Sequence, residues 1–257
     1  MAKKLRGDIN LKNQIEFKVW GRYALFSDPV TRMGGEKSAY FCPTYEALKG
    51  IVSSVYWKPT IIWVIDSVRV MRPIRTESKS IRPISYNASK NTLSIYTYLA
   101  DVEYQVKAHF IFNEHRPELA GDRIEGKHYS IAKRMIEKGG RRDIFLGARE
   151  CQGYVEPCVF GEGEGYYDNY GEFDFGVMIH GFDYPDETGR DMLSLRLWRQ
   201  KMVNGVVDFL PPWECSPDLR RDIRPMKPKK FGSEYGNFTG LDEEGLADIL
   251  NEEAITK

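Results

Sequence analysis

The chain predicts an α+β fold, a ferredoxin-like N-terminal domain followed by a small antiparallel β-sheet domain, on three observations. The first is the strict alternation between Asn91 and Asn113, where Val102, Tyr104, Val106, Ala108 and Phe110 share one face and Glu103, Gln105, Lys107 and His109 the other. The second is a pair of helical patterns, one opening at Pro43 and one at Gly126, each set between β-patterned runs. The third is a series of short β-patterned segments beyond the glycine-rich run Gly161–Gly165.

Taken in order, Ile15–Phe26 alternates with Ile15, Phe17, Val19, Tyr23 and Leu25 on one face, so it predicts a strand, with Gly21 marking a bulge. Pro43 suits a first helical turn, and Ala47, Leu48, Ile51, Val52 and Val55 follow at helical spacing, ending before Pro59. Ile61–Met71 is β-branched and predicts the second strand. Ile74–Lys90, with two prolines among Ser, Arg and Lys, predicts an exposed loop or β-excursion before the alternating strand. The basic helix comes next, and Ile144–Phe160 predicts a strand with glycine breaks. The order β, α, β, β, α, β is that of the ferredoxin-like and RNA-recognition folds, with one sheet face under helices and the other open.

Past Gly161–Gly165, read as a flexible hinge, the segments 173–182, 192–203 and 205–213 predict a small antiparallel unit. The organisation is therefore 1–160, 161–215 and a charged tail, 216–257, in which the basic run Leu219–Lys230 precedes the acidic stretch Asp242–Glu253. The tail's partner stays open among RNA, duplex DNA and a neighbouring subunit.

Composition narrows the class. Lys plus Arg equal Asp plus Glu at 37 each over 257 residues, so affinity for a polyanion has to come from segregated charge. Cys42, Cys151, Cys158 and Cys215 lack paired zinc spacing and predict free thiols. No apolar run approaches a membrane span, and the charged start lacks a signal sequence; a cytoplasmic protein without membrane partners is expected.

The segment Gly126–Asp143 carries the chemistry. Lys127, Arg134, Lys138 and Arg141 fall on one stripe of its helix, and Ile131, Ala132, Met135 and Ile136 on another. A cationic row suits a phosphate backbone through counterion release. His128 beside Lys127 adds a group able to move a proton near neutral pH and a cation able to hold a charged phosphorane. The competing reading makes His128 a packed residue: were the helix to start earlier, behind an Asp122-x-x-Glu125 capping box, His128 would face the apolar side. Gly126 argues for a start at the Lys-His pair, because glycine is unfavourable inside a helix. Arg134, Lys138, Arg141, Arg142 and Arg149 are the expected RNA-binding residues. His109 reads as a surface residue and His180 as structural.

Long blocks, Val19–Thr60, Ile65–Ile74, Lys127–Cys158 and Gly181–Glu187, together resemble the CRISPR-associated Cas family five, d-type, of the subtype I-C system, up to about residue 210. The resemblance implies a RAMP-type protein that cuts the CRISPR repeat hairpin of precursor crRNA at its 3′ base and stays on the 5′ handle, among the backbone and large subunits of the interference complex. It implies Tyr45, Lys127 and His128 as the catalytic set, with no cofactor and no metal ion, and repeat RNA and mature crRNA as ligands.

RNA supplies its own nucleophile, the ribose 2′-OH, which attacks the adjacent phosphorus and expels a 5′-oxygen. On this scheme His128 handles proton transfer, Lys127 stabilises charge, and Tyr45 positions or helps deprotonate the 2′-OH. Two alternatives remain: a non-catalytic subunit capping the 5′ handle, and, less favoured, a metal nuclease using Glu162, Glu164, Asp168 and Asp174.

Overall fold

A computed structural model of the chain describes residues 13–33, 35–83 and 93–229. Its strands are β1 (Gln14–Ala24), β2 (Ile61–Val70), β3 (Thr76–Ile81), β4 (Ser94–Phe112), β5 (Ile144–Phe145), β6 (Gln152–Pro157), β7 (Glu172–Asp183), β8 (Met192–Val203), β9 (Val206–Asp208) and β10 (Arg220–Pro225). Its helices are α2 (Tyr45–Val55) and α3 (Lys127–Glu137), with the one-turn α1 (Pro29–Arg32) before α2 and α4 (Pro185–Thr188) after β7. Every strand pair is antiparallel.

The chain up to Pro157 gives the order β2-β4-β1-β6 at the centre of the sheet. Helix α2 connects β1 to β2 across β4, and α3 connects β4 to β6 across β1. The face beneath the helices is the one the alternation selects: Phe17, Val19, Tyr104, Val106, Ala108 and Phe110 are buried against Leu48, Val52 and Val55 of α2 and Ala132 and Ile136 of α3. Burying side chains of this size is worth roughly 1.5–3 kcal/mol each, so the apolar face anchors both helices. Thr44 caps α2 by accepting a hydrogen bond from the Ala47 N–H at 3.2 Å. Two left-handed glycines, Gly139 and Gly140, end α3, their N–H groups bonding Ile136 and Met135 carbonyls.

The later strands continue this sheet, since β9 pairs with β2 and β8 with β9. Arg220–Pro225, read from sequence as the start of a tail, is strand β10 on the edge of β8. The rest of that tail, from residue 230 on, lies outside the described residues, as does 84–92 of the expected excursion, whose first part is β3 paired to β4.

Two expectations are corrected. Gly21 makes no bulge; β1 keeps register with β4 through it, and a Cβ there would lie 2.7 Å from Leu146 Cδ1 and 2.9 Å from the Gln152 carbonyl. Close approach of the β5–β6 hairpin is the reason for the glycine. Gly161–Gly165 is not a loose hinge but is strapped across the open sheet face. Buried Arg69 donates to the carbonyls of Glu162 (3.2 Å) and Gly163 (2.8 Å), and Gln105 binds Gly161 N–H and the Glu162 carbonyl. All four cysteines are free thiols.

Candidate active site

Gly126 precedes α3 in the left-handed region (φ 73°), so the chain turns sharply and Lys127 becomes the first helical residue. The Lys-His pair thus stands at the helix mouth, yet only Lys127 faces solvent. His128 is 0% exposed, its ring set edge-on against Phe110 and Phe112. Its Nδ1 lies 2.8 Å from the Tyr56 hydroxyl and its Nε2 2.8 Å from the Asp122 carbonyl. A carbonyl only accepts, so Nε2 carries the hydrogen of the neutral ring and Nδ1 accepts from Tyr56.

Asp122 ends a 3-10 turn, Pro117–Asp122, and touches Lys127, Thr60 and His128. Its carboxylate pairs with Lys127 Nζ, accepts from Thr60 Oγ1 at 2.6 Å, and lies 3.6 Å from His128 Nε2. Burial alone would raise this carboxyl, but the hydrogen bonds from Lys127 and Thr60 hold it below the ordinary range. Burial, then the Asp122 charge, push the Tyr56 phenol up to about 12 against the pull of Arg141, so it acts as a neutral hydroxyl.

Tyr45 lies elsewhere. It opens α2, whereas Tyr56 caps its other end, about 16 Å away at the rise of an α-helix. The Tyr45 ring is 0% exposed, stacked on His180 at 4.3 Å and edge-on to Phe209. Its hydroxyl sits beside the Ile65 backbone without an aligned hydrogen bond, and burial pushes its pKa far above the ordinary phenol range. The structure therefore joins Lys127 to His128 but does not bring Tyr45 to them. His180 is a structural residue, with Nε2 on the Leu210 carbonyl and Nδ1 facing Arg196 Nε; burial, and then the Arg196 charge, lower it to about 3. His109, expected at the surface, is half-buried on its polar face and bonds Asp66 at 2.7 Å.

Arg134, Lys138, Arg141, Arg142 and Arg149 are all exposed. Arg141 and Arg142 do double duty, their backbone N–H groups capping the Val55 and Ser54 carbonyls at the end of α2. Sequence reading missed Tyr56, Thr60 and Asp122 as partners of the pair. Asp122, five residues before Lys127, was visible as a cap candidate; nothing local marks Tyr56. Of the acidic residues in the metal reading, Asp168 is held by Arg69 and Asp174 by Arg199. Among the described residues no three His, Cys, Asp or Glu gather at one point, and no helix is long and apolar enough to cross a membrane.

Residues 14–210 match the CRISPR-associated protein family Cas5, d-type. The chain belongs to that family. Among its Cas5 relatives is the CRISPR pre-crRNA endoribonuclease Cas5d of Mannheimia succiniciproducens, 28% identical over 78% of this chain and 96% of the relative. The protein of the same name from Thermus thermophilus is 26% identical over 71% of this chain and 79% of its own. A crystal structure described as a CRISPR-associated protein superposes with a TM-score of 0.68 at 36% identity, covering 81% of this chain and 96% of that one. A functionally uncharacterized protein, SMU1763c of Streptococcus mutans, does so at 0.67 and 38%, over the same shares.

Proposed function

We propose that this Cas5-family chain is a cytoplasmic endoribonuclease that cuts CRISPR repeat hairpins in precursor crRNA without a metal ion. It then keeps the 5′ handle of its product as a subunit of a type I-C interference complex, beside backbone and large subunits. The observation that carries the activity is the match to two relatives named pre-crRNA endoribonucleases over 96% and 79% of their lengths. The order β2-β4-β1-β6 with two crossing helices supports a ferredoxin-like, RAMP-type reading of residues 1–160, with 161–215 a β extension of it.

In the mechanism we propose, the 2′-hydroxyl loses its proton to solvent, its oxygen attacks phosphorus, and the bond from phosphorus to the 5′-oxygen breaks. A 2′,3′-cyclic phosphate and a 5′-hydroxyl result. Lys127 stabilises the phosphorane, and His128, as imidazolium, gives a proton to the leaving 5′-oxygen. In the free protein Asp122 covers both groups, its carboxylate on Lys127 and its carbonyl on His128 Nε2. A phosphate arriving at Lys127 competes with that carboxylate; once the 3-10 turn shifts, Nε2 faces the RNA while the Nδ1–H of the imidazolium donates to the Tyr56 hydroxyl oxygen. Tyr45 supports this end only through the packing of α2.

A second reading has one specific observation in its favour: both ring nitrogens of His128 are engaged and the ring is fully buried, as in a structural histidine. On that reading the chain only caps the 5′ handle. Incubating the protein in excess EDTA with a labelled repeat hairpin, and with the same RNA carrying a 2′-deoxy residue at the cut, separates the two. The nuclease cuts the first and binds the second uncut; binding of both without cutting leaves the cap.

A further inference from the structure

Beside the N-terminal half of α2 lies a cleft of about 560 Å³, between the segment that follows β1, the β5 hairpin and β7. Its size falls within the roughly 300–1,000 Å³ of small-ligand sites. We propose that it takes one unpaired nucleotide of the bound RNA, the base between Phe145 and Phe182 and the phosphate on Arg32 and Lys37. The proposal rests on the RNA-processing reading above and adds to it a site distinct from the Lys127–His128 cluster.

Four features point to an occupant of that chemistry. The two cations on the rim, Arg32 and Lys37, form no ion pair among the described residues; Lys37 rests over the Tyr96 ring at 4.9 Å. The walls include the half-buried aromatic faces of Phe145 and Phe182, which suit a flat ring. The Ser27 hydroxyl is buried in the wall without a hydrogen-bond partner, a polar atom left for a ligand to satisfy. The fourth is Gly50. It sits in the interior of α2, where glycine weakens a helix, and a Cβ on it would meet nothing within 4 Å. Neither a left-handed backbone nor internal packing calls for glycine there, and close approach by a bound group does. Glu46, the acid in the lining, has its carboxylate turned to the Phe182 N–H at 3.1 Å, where it also offers an acceptor to a base amino group. A protein side chain would fill the apolar walls without using both cations.

The test compares three RNAs: the bare hairpin, the hairpin with an unpaired extension, and the same extension built of abasic residues. The wild-type protein is expected to gain about tenfold in affinity from the extension, the scale of stacking one base, and nothing from the abasic form. Gly50→Leu, which fills the cleft, is expected to abolish that gain while its melting temperature stays equal or rises. The double variant Arg32→Gln, Lys37→Gln should lose most of the gain, with hairpin affinity within about twofold. An extension gain that survives both variants, or that abasic residues reproduce, overturns the cleft assignment while the RNA reading stands. A wild-type protein that binds none of the three overturns both.

Discussion

The two ends of α2 each bury a tyrosine beside a histidine, and their electrostatics are opposite. At the N-terminal end the guanidinium of Arg196 lies against His180, and burial with that charge leaves the imidazole neutral down to about pH 3. At the C-terminal end the nearest charge to His128 is the Asp122 carboxylate, 3.6 Å from Nε2, with Lys127 on its far side. A cation thus stands beside the buried ring at one end and an anion at the other, and the cation opposes charge on His180. The comparison teaches that burial alone does not decide a histidine's role. The mechanism proposed above places proton transfer at the end bearing Lys127 and His128, although Tyr45 at the other end belongs to the set the family resemblance implies.

The sharpest way to break this contrast is substitution at both ends. Lys127→Met and His128→Gln should each lower single-turnover cleavage by about 10²- to 10⁴-fold, the range of positioned acid-base groups. Tyr45→Phe removes a hydroxyl without an aligned partner and should leave the rate within about threefold and the melting temperature unchanged or higher. A loss for Tyr45→Phe as large as for His128→Gln would erase the distinction.

Acid titration comes next in size. The unfolded chain protonates His180 below about pH 6.5, whereas the native chain does so only near 3. Stability from this group is therefore complete above pH 6.5 and drains away as the pH falls toward 3, with a slope of up to about 1.4 kcal/mol per unit. Denaturant melts from pH 7 to 4 should show the slope in the wild type and a shallower one in His180→Gln; equal slopes would sink the assignment.

Asp122→Asn frees Lys127 and should tighten RNA binding by about two- to fivefold at low salt. Its cost to stability should stay near or below about 1 kcal/mol, as for a half-exposed ion pair. Weaker RNA binding by this variant would count against Asp122 as a cover. The smallest effect belongs to Arg141→Ala, which should flatten the log–log salt dependence of binding by about 0.7–0.9, one phosphate's worth. An unchanged slope removes Arg141 from the interface.

Much of the fold was legible because period sets orientation. The five apolar residues of the β4 alternation are all buried, and Gly126 sits directly before α3 as expected. Period does not tell what covers a face. Gln105 lies on the polar side of β4 yet is buried, because the glycine strap crosses it and Arg69, more than ninety residues earlier than the strap's carbonyls, ties it down. The geometry of the candidate site was legible in the same measure. Lys127 and His128 announce themselves as neighbours in sequence, and the helix start was read correctly. Which way the imidazole turns was decided by Tyr56, 72 positions away, and by a backbone carbonyl, neither of which leaves a local pattern. The basic run at Arg220 looked like a tail because charge outweighed its β potential; pairing with β8, including Ser194 to Asp222 at 2.6 Å, makes it a strand.

The most direct test of His128 as the proton donor replaces the leaving 5′-oxygen at the cut with sulfur, which departs without needing a proton. In excess EDTA, His128→Gln should cut this RNA at close to the wild-type rate while remaining crippled on the oxygen substrate, and Lys127→Met should stay slow on both. Equal loss by His128→Gln on the two substrates, with the variant folded and binding RNA, would contradict the account.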